Sequence, residues 1–231
     1  MKTAMSVESV LAEMKSKRDP KAVEGMARFG ISSEGTLGLS LPYLRSLARR
    51  IGRDHNLAIG LWASGIHEAK ILASLVDDPK KVTESQMEKW VAGFDSWDVC
   101  DGCCGNLFDR TPYAYTKALE WSKRNEEFVK RAGYVLMAEL AVHDKKAPDS
   151  SFLGFFEAIE AGSTDQRNFV KKAVNWALRQ IGKRNPKLNG AALGLAGTIS
   201  KKESASATWV ASDAIKELTS AAVQKRLRRS S

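Results

Sequence analysis

The chain has 231 residues, 43% of them hydrophobic, and a net charge of +9 at pH 7. This length suits one large domain or two small ones, and the apolar content excludes a disordered protein. The excess of 36 Lys and Arg over 27 Asp and Glu favours an anionic partner, most often nucleic acid. A lysine-rich surface on an ordinary soluble protein is the alternative explanation of this balance.

The sequence has no run of 18 apolar residues, and residues 1–8 lack the apolar core of a signal peptide. We therefore expect a cytoplasmic protein without a membrane partner. The three cysteines, Cys100, Cys103 and Cys104, are odd in number, so they do not suggest a disulfide framework. Three sulfurs on one helical face also make a poor zinc site, so we expect small buried residues and no metal or cofactor.

Helical periodicity dominates the chain, and no alternating run of useful length predicts a strand. Prolines and polar turns divide the chain into segments of ordinary helical length. The predicted helices are 6–17, 21–28, 42–51, 56–63, 67–77, 84–92, 97–108, 112–123, 126–141, 151–161, 165–183, 187–198 and 207–218. Thr83, Ser150 and Thr164 are the predicted N-caps of three of them. The basic residues 224–231 predict a flexible tail.

A weak self-similarity indicates internal repeats. Segments 67–73, 130–136 and 171–177 each place a charged residue before a small one that opens an apolar helix. Stacked helix pairs of roughly 35 to 45 residues are typical of HEAT-type solenoids, whose concave face is the usual binding surface. We therefore expect an all-α fold, an α-α superhelix with a basic concave face, as a single domain over residues 1–231. A non-repetitive helical bundle is the alternative.

Positive charge is densest in segment 165–187, where a single acid, Asp165, faces seven basic residues. These are Arg167, Lys171, Lys172, Arg179, Lys183, Arg184 and Lys187. Lys172, Trp176 and Arg179 share one helical stripe, which suits DNA, since cations bind phosphates and an indole packs on a sugar or base. The alternative is that Trp176 packs inward and that its charged neighbours, Lys172 and Arg179, extend along the helix surface to solvent.

Trp97 and Asp101 lie four residues apart and share one face of the predicted helix 97–108. An aspartate on a surface that binds a polyanion would repel the ligand. Its presence is explained if it contacts positive charge that the ligand itself carries. A carboxylate beside a DNA sugar can stabilise a developing oxocarbenium ion and orient water. The alternative is structural: Asp98 caps or salt-bridges the helix start, and Asp101 pairs with Arg131.

Four segments, in this order, carry a resemblance to a known family. They are Met-Ala-Arg-Phe at 26–29 leading to 37–45, Trp-Asp-Val-Cys-Asp at 97–101, Lys-Arg-Ala at 130–132, and 169–179 leading to Asn-Pro at 185–186. Together they resemble the AlkD-type DNA alkylation repair proteins, which are alkylpurine DNA glycosylases built from HEAT-like repeats. The resemblance covers about residues 20 to 220.

The resemblance implies excision of cationic alkylated purines, such as 7-methylguanine and 3-methyladenine, from duplex DNA in base excision repair. It implies that Asp101 is the catalytic carboxylate and that no cofactor takes part. The implied DNA-binding residues are Trp97, Arg131, Trp176, Arg179 and Phe29, and the stripe on the predicted helix 165–183 adds Lys172. Phe29 departs from the family pattern, which has tyrosine there, so the ring remains and the hydroxyl is absent.

A purine alkylated at N7 or N3 is cationic and leaves as a neutral base, so its departure needs little acid assistance. The developing positive sugar still needs stabilisation, which an aspartate and two indoles can supply. The implied protein is a monomer of the bacterial cytosol and nucleoid. Two alternatives stay open: a non-catalytic HEAT-repeat protein that recognises damaged or branched DNA, and a solenoid that binds proteins.

Overall fold

The computed structural model describes residues 5–229, and the chain forms two compact units, one ending at Thr111 and the other starting at Pro112. Within the described range all regular structure is helical. None of these helices is long and apolar enough to cross a membrane. Whether the two units act as the single domain expected over residues 1–231 stays a prediction.

The first unit contains the N-terminal half of the helices. They are α1 (Val7–Ser16), α2 (Pro20–Ala27), α3 (Leu41–Ile51), α4 (His55–Ala63), α5 (His67–Val76), α6 (Glu84–Ala92) and α7 (Trp97–Asn106), followed by a 3-10 turn at Phe108–Arg110. The second unit contains the rest. They are α8 (Ala114–Ser122), α9 (Glu127–His143), α10 (Asp149–Leu153), α11 (Phe156–Gly162), α12 (Asn168–Gly182), α13 (Pro186–Ile199), α14 (Ala205–Leu218) and α15 (Ala221–Arg228).

Local sequence signals explain many of the helix starts. The predicted N-cap Thr83 is confirmed, because its hydroxyl accepts a hydrogen bond from the Gln86 amide. The other two predicted caps are wrong. Ser150 lies inside α10, and Thr164 precedes α12 by several residues and bonds back to the Ala161 carbonyl. Helix α12 begins without a side-chain cap.

In the first unit, α3, α5 and α7 lie side by side and run in the same direction. His67 and Asp98 join the starts of α5 and α7, and Asn106 donates to the Ser74 hydroxyl near their ends. Helices α4 and α6 form a second layer, where the indoles of Trp62 and Trp90 stack with ring centres 4.3 Å apart. Parallel neighbours require a return helix between them, so each step of the row consists of two helices.

The second unit repeats this arrangement with α9, α12 and α14 as the parallel row. Arg184 after α12 donates to the Ala141 carbonyl near the end of α9. Asn175 of α12 donates to the Val210 carbonyl of α14. Helices α8, α11 and α13 supply the second layer. The alternation of row helix and return helix in both units favours the predicted repeat over a non-repetitive bundle.

Two predicted segments differ from the structure. The helix expected over 151–161 is broken into α10 and α11, because Phe155 turns inward between them and is buried. The tail expected to be flexible from residue 224 is helical through Arg228, since Leu227 is only 3% exposed and anchors α15 by burial. Residues 230–231 of that expected tail lie outside the described residues.

A buried carboxylate fixes the loop that leads into α3. Glu68 is 1% exposed, and its side chain accepts hydrogen bonds from the backbone amides of Leu37, Gly38 and Leu39 at 2.6–3.1 Å. Gly38 has φ +80°, and a Cβ there would collide with the Asp19 carbonyl oxygen, so this position requires glycine. The loop is therefore held in a shape that the local residues alone do not impose.

Replacement of Glu68 by Gln should lower the free energy of unfolding by roughly 2–3 kcal/mol. The substitution removes the charge that strengthens three hydrogen bonds and sets an amide NH₂ group against backbone donors. Urea unfolding of the variant beside Glu34→Gln, an exposed glutamate of the preceding turn, measures the effect. Equal stability of the two variants would show that Glu68 does not hold the loop.

Candidate nucleic-acid interface

Trp97 opens α7 and is held by its indole nitrogen. Its Nε1–H donates to the backbone carbonyl of Phe29 at 3.1 Å, and this contact ties the turn after α2 to the start of α7. The Phe29 ring itself points outward and is 68% exposed. Two of the predicted DNA-binding aromatics are therefore neighbours in the first unit, and the ring of Phe29 is open to a ligand.

The two aspartates of α7 have different surroundings. Asp98 Oδ2 lies 2.8 Å from His67 Nε2, and Asp98 Oδ1 accepts from the Val99 amide at 3.0 Å. Burial opposes ionisation of the Asp98 carboxyl, but the hydrogen bond and the charge of His67 outweigh it, so the pKa of Asp98 is lowered. Asp98 therefore salt-bridges the helix start, which is the structural role considered for it.

Asp101 lies one turn after Trp97 and remains partly exposed. The cysteines of α7 occupy its other face and are fully buried, and burial raises the pKa of the Cys103 and Cys104 thiols. These thiols pack as small apolar groups, as expected. No cluster of three metal-ligating side chains occurs among residues 5–229. Asp101 is thus a partly exposed carboxylate on the helix that Trp97 opens.

In the second unit the predicted stripe lies on α12. Lys172 is exposed, and the Trp176 indole is partly exposed one turn further on, so the stripe remains accessible at these two residues. Arg179 instead pairs with Glu217 of α14 and lies 3.7 Å from Asp213. Glu217 also binds Lys183 at 2.6 Å. Much of the charge of Arg179 is thus offset within the unit, and its DNA contact stays a prediction.

Arg131 is placed differently from an ordinary phosphate ligand. It is only 6% exposed, and its Nη1 donates to the Phe169 carbonyl at 2.6 Å. This contact joins α9 to the first turn of α12 and thereby supports the helix that carries Trp176. The predicted phosphate contact of Arg131 is not tested by this geometry and stays a prediction.

Sequence reasoning missed two features of the surface. Nothing in the local sequence indicates a role for His67, because its partner Asp98 lies 31 residues away in the chain. Trp209 of α14 is 37% exposed, and the Lys171 ammonium lies 5.2 Å from its ring centre. The partners are on different helices, so local spacing carries no signal for this pair either.

The predicted site residues fall into two groups. Phe29, Trp97 and Asp101 belong to the first unit, where they lie on or against the start of α7. The second unit holds Arg131, Lys172, Trp176 and Arg179, on α9 and α12. Each unit thus carries at least one accessible aromatic of the predicted interface.

The Asp98→Asn variant should lose about 1–3 kcal/mol of unfolding free energy near neutral pH, the range for a hydrogen bond to a charged group. The pKa of Asp98 is lower in the folded state than the unfolded value of about 3.9, so the pair stabilises the protein fully above that value. Its contribution disappears as the pH falls through the folded pKa.

Urea unfolding of the wild type and the Asp98→Asn variant from pH 7 downward measures this difference. Asp95→Asn, which removes an exposed carboxylate two residues before α7, is the control and should change stability little. A difference between wild type and Asp98→Asn that stays constant on acidification would contradict the role of the ionised pair.

The fold is similar to a solved structure described as a new family of proteins related to the HEAT-like repeat DNA glycosylases with affinity for branched DNA structures. The TM-score is 0.79 at 20% identity, and the match covers 96% of each chain. The predicted all-α superhelix of HEAT-like helix pairs is therefore confirmed.

Two curated relatives, both uncharacterized proteins, match over 145 residues. One is from Listeria innocua at 24% identity and the other from Listeria monocytogenes at 23%. Each match covers 61% of this chain and 63% of the relative, so the chain spans less than two thirds of their length. The model of the DNA alkylation repair enzyme family matches residues 10–218, and the chain belongs to that family.

Proposed function

We propose that the protein is a monofunctional DNA glycosylase that excises cationic alkylated purines from duplex DNA. The substrates are of the 7-methylguanine and 3-methyladenine type, and the reaction is hydrolysis of the N-glycosidic bond in base excision repair. The observation that carries the proposal is the placement of Asp101 on α7, where it is partly exposed and lies one turn from Trp97. Membership of the family supports the same reaction.

The chemistry assigns Asp101 an electrostatic role. As the bond from the sugar to the cationic purine breaks, the base becomes neutral and the positive charge passes to the sugar. A carboxylate beside the sugar stabilises that oxocarbenium-like transition state and orients the water that attacks it. The leaving base needs no general acid, so one carboxylate meets the requirement.

The aromatic side chains position the damaged nucleotide. An indole presents a polarisable face to a cationic sugar, and the start of α7 offers the Trp97 ring, which is bonded to the backbone of Phe29. The Phe29 ring is itself exposed. In the second unit Lys172 and Trp176 offer a cation and a second indole for the DNA backbone. The net charge of +9 attracts the DNA, and Asp101 faces the charge of the lesion.

The remaining assignments follow from this mechanism. Water is the nucleophile, so we propose no Schiff base, no strand-cleaving lyase step and no cofactor. We further propose that the protein acts as a monomer on DNA in the bacterial cytosol. A covalent adduct trapped by borohydride would contradict the hydrolytic mechanism.

The Asp101→Asn variant should release methylated purines about 10²–10³-fold more slowly than the wild type, because the transition-state charge loses its counter-charge. The measurement is single-turnover release of 7-methylguanine from methylated duplex DNA. The affinity for the same duplex should not fall, because the variant removes a negative charge from a surface that binds a polyanion.

Asp95→Asn is the matched control, since it removes a carboxylate near the start of the same helix that is paired with Lys70 and largely exposed. It should release the base at the wild-type rate. Unchanged release by Asp101→Asn would remove Asp101 from the mechanism, and slow release by both variants would indicate a general electrostatic effect.

A second candidate function is branched-DNA binding without catalysis. The solved structure with the similar fold is described as having affinity for branched DNA, and this description favours the candidate. Under the glycosylase proposal, a methylated duplex competes with a four-way junction and is processed. Under the second candidate, the junction binds at least tenfold more tightly than the duplex, and no base is released from either. Competition binding combined with base release separates the two.

A further inference from the structure

Three arginines form an exposed stripe in the first unit. Arg45 and Arg49 lie one turn apart on α3, and Arg53 follows one further turn along the chain, just after the helix. A groove of about 360 Å³ runs beside them, lined by all three arginines and by Leu75 of α5. The stripe was not among the site residues expected from the sequence.

These arginines lack the acidic partners that surface arginines commonly have. Arg45, Arg49 and Arg53 form no ion pair with any residue between 5 and 229. Arg50, on the other side of the same helix, is paired with Glu13 at 2.5 Å. Like charges spaced by four residues on a helix repel one another, so the stripe disfavours folding unless an anion is bound.

The neighbouring acids are engaged elsewhere. Asp54 accepts from the Leu57 amide and caps α4, and Asp78 accepts from the Lys80 amide. Asp77 is buried between His55 and Gln86, and only its backbone carbonyl accepts from Arg53. That contact orients the Arg53 guanidinium and does not neutralise it. The groove is therefore a positively charged surface with an ordered arginine at one end.

The stripe and Asp101 are both on the solvent-accessible sides of helices in the same row. In α3 the buried residues are Leu44 and Leu47, and the arginines lie away from them. In α7 the buried residues are Val99, Cys100, Cys103 and Cys104, and Asp101 lies at the edge of that face and is partly exposed. Because the row helices run in the same direction and each turns its buried residues into the unit, we expect their open faces to point the same way.

We infer that Arg45, Arg49 and Arg53 bind the phosphate backbone of the DNA arm that extends from the lesion across the first unit. The inference rests on the proposed action on DNA and adds a contact remote from the chemistry. The axes of α3 and α7 are two helix spacings apart, roughly 16–20 Å. At about 3.4 Å per base pair, the arginines meet phosphates about 5–6 base pairs from the lesion.

The test is the salt dependence of DNA binding by the full chain. Neutralising Arg45 and Arg49 together, as Arg45→Gln with Arg49→Gln, should reduce the slope of log affinity against log salt by about 1.8, since each lost phosphate contact removes about 0.9. Lys81→Gln with Lys89→Gln is the matched control. It removes the same charge from exposed positions before and on α6, in the second layer, and should leave the slope near that of the wild type.

The position of the contact is tested with duplexes that carry one 7-methylguanine. The arginine variant should bind a long-armed duplex more weakly than the wild type does. On a duplex cut to about 3 base pairs on the side that meets the stripe, the two proteins should bind equally. Both sides are shortened in turn, so that the outcome does not depend on the orientation of the DNA.

The outcomes separate this inference from the glycosylase proposal. A slope equal to that of the lysine control, in a variant that still excises, overturns the arginine contact alone. An arginine-dependent slope in a wild-type protein that releases no base supports the contact and overturns the excision proposal. A wild-type protein that binds neither duplex nor junction overturns both.

Discussion

Two adjacent side chains at the start of α5 hold the first unit in the form that the candidate site needs. His67 reaches forward to Asp98 and sets the start of α7, and Glu68 reaches back to three amides of the loop before α3. Both are buried, so loss of either partner leaves an unsatisfied polar group in the interior. The position of Trp97, Asp101 and the arginines of α3 relative to one another depends on this pair of contacts.

The same contacts give the two aspartates of α7, Asp98 and Asp101, different surroundings. Asp98 is bound to His67, and this contact lowers the pKa of the Asp98 carboxyl. Asp101 is on the same helix, one turn from Trp97, and is partly exposed. A basic surface tolerates this aspartate because the proposed substrate brings its own positive charge. The positive charge that attracts DNA and the negative charge proposed for catalysis are thus carried by different residues.

The sequence predicts the local part of this structure well. Helix boundaries follow proline and N-cap signals such as Thr83, and the spacing of Trp97 and Asp101 predicts their shared face. Long-range contacts are different, because nothing near His67 indicates Asp98. Helical periodicity also cannot show that Arg131 is buried, since an arginine on an amphipathic helix is compatible with either face until its neighbours are placed.

The second unit adds accessible surface, and the proposed chemistry takes place at α7. Lys172 and Trp176 lie open on α12, whereas Arg179 is bound by Glu217. The central claim is that this scaffold breaks a glycosidic bond. The most direct measurement is release of 7-methylguanine from duplex DNA saturated with the wild-type protein, compared with spontaneous release from the DNA alone. The account predicts acceleration of at least about 100-fold; release at the spontaneous rate from fully bound DNA would contradict it.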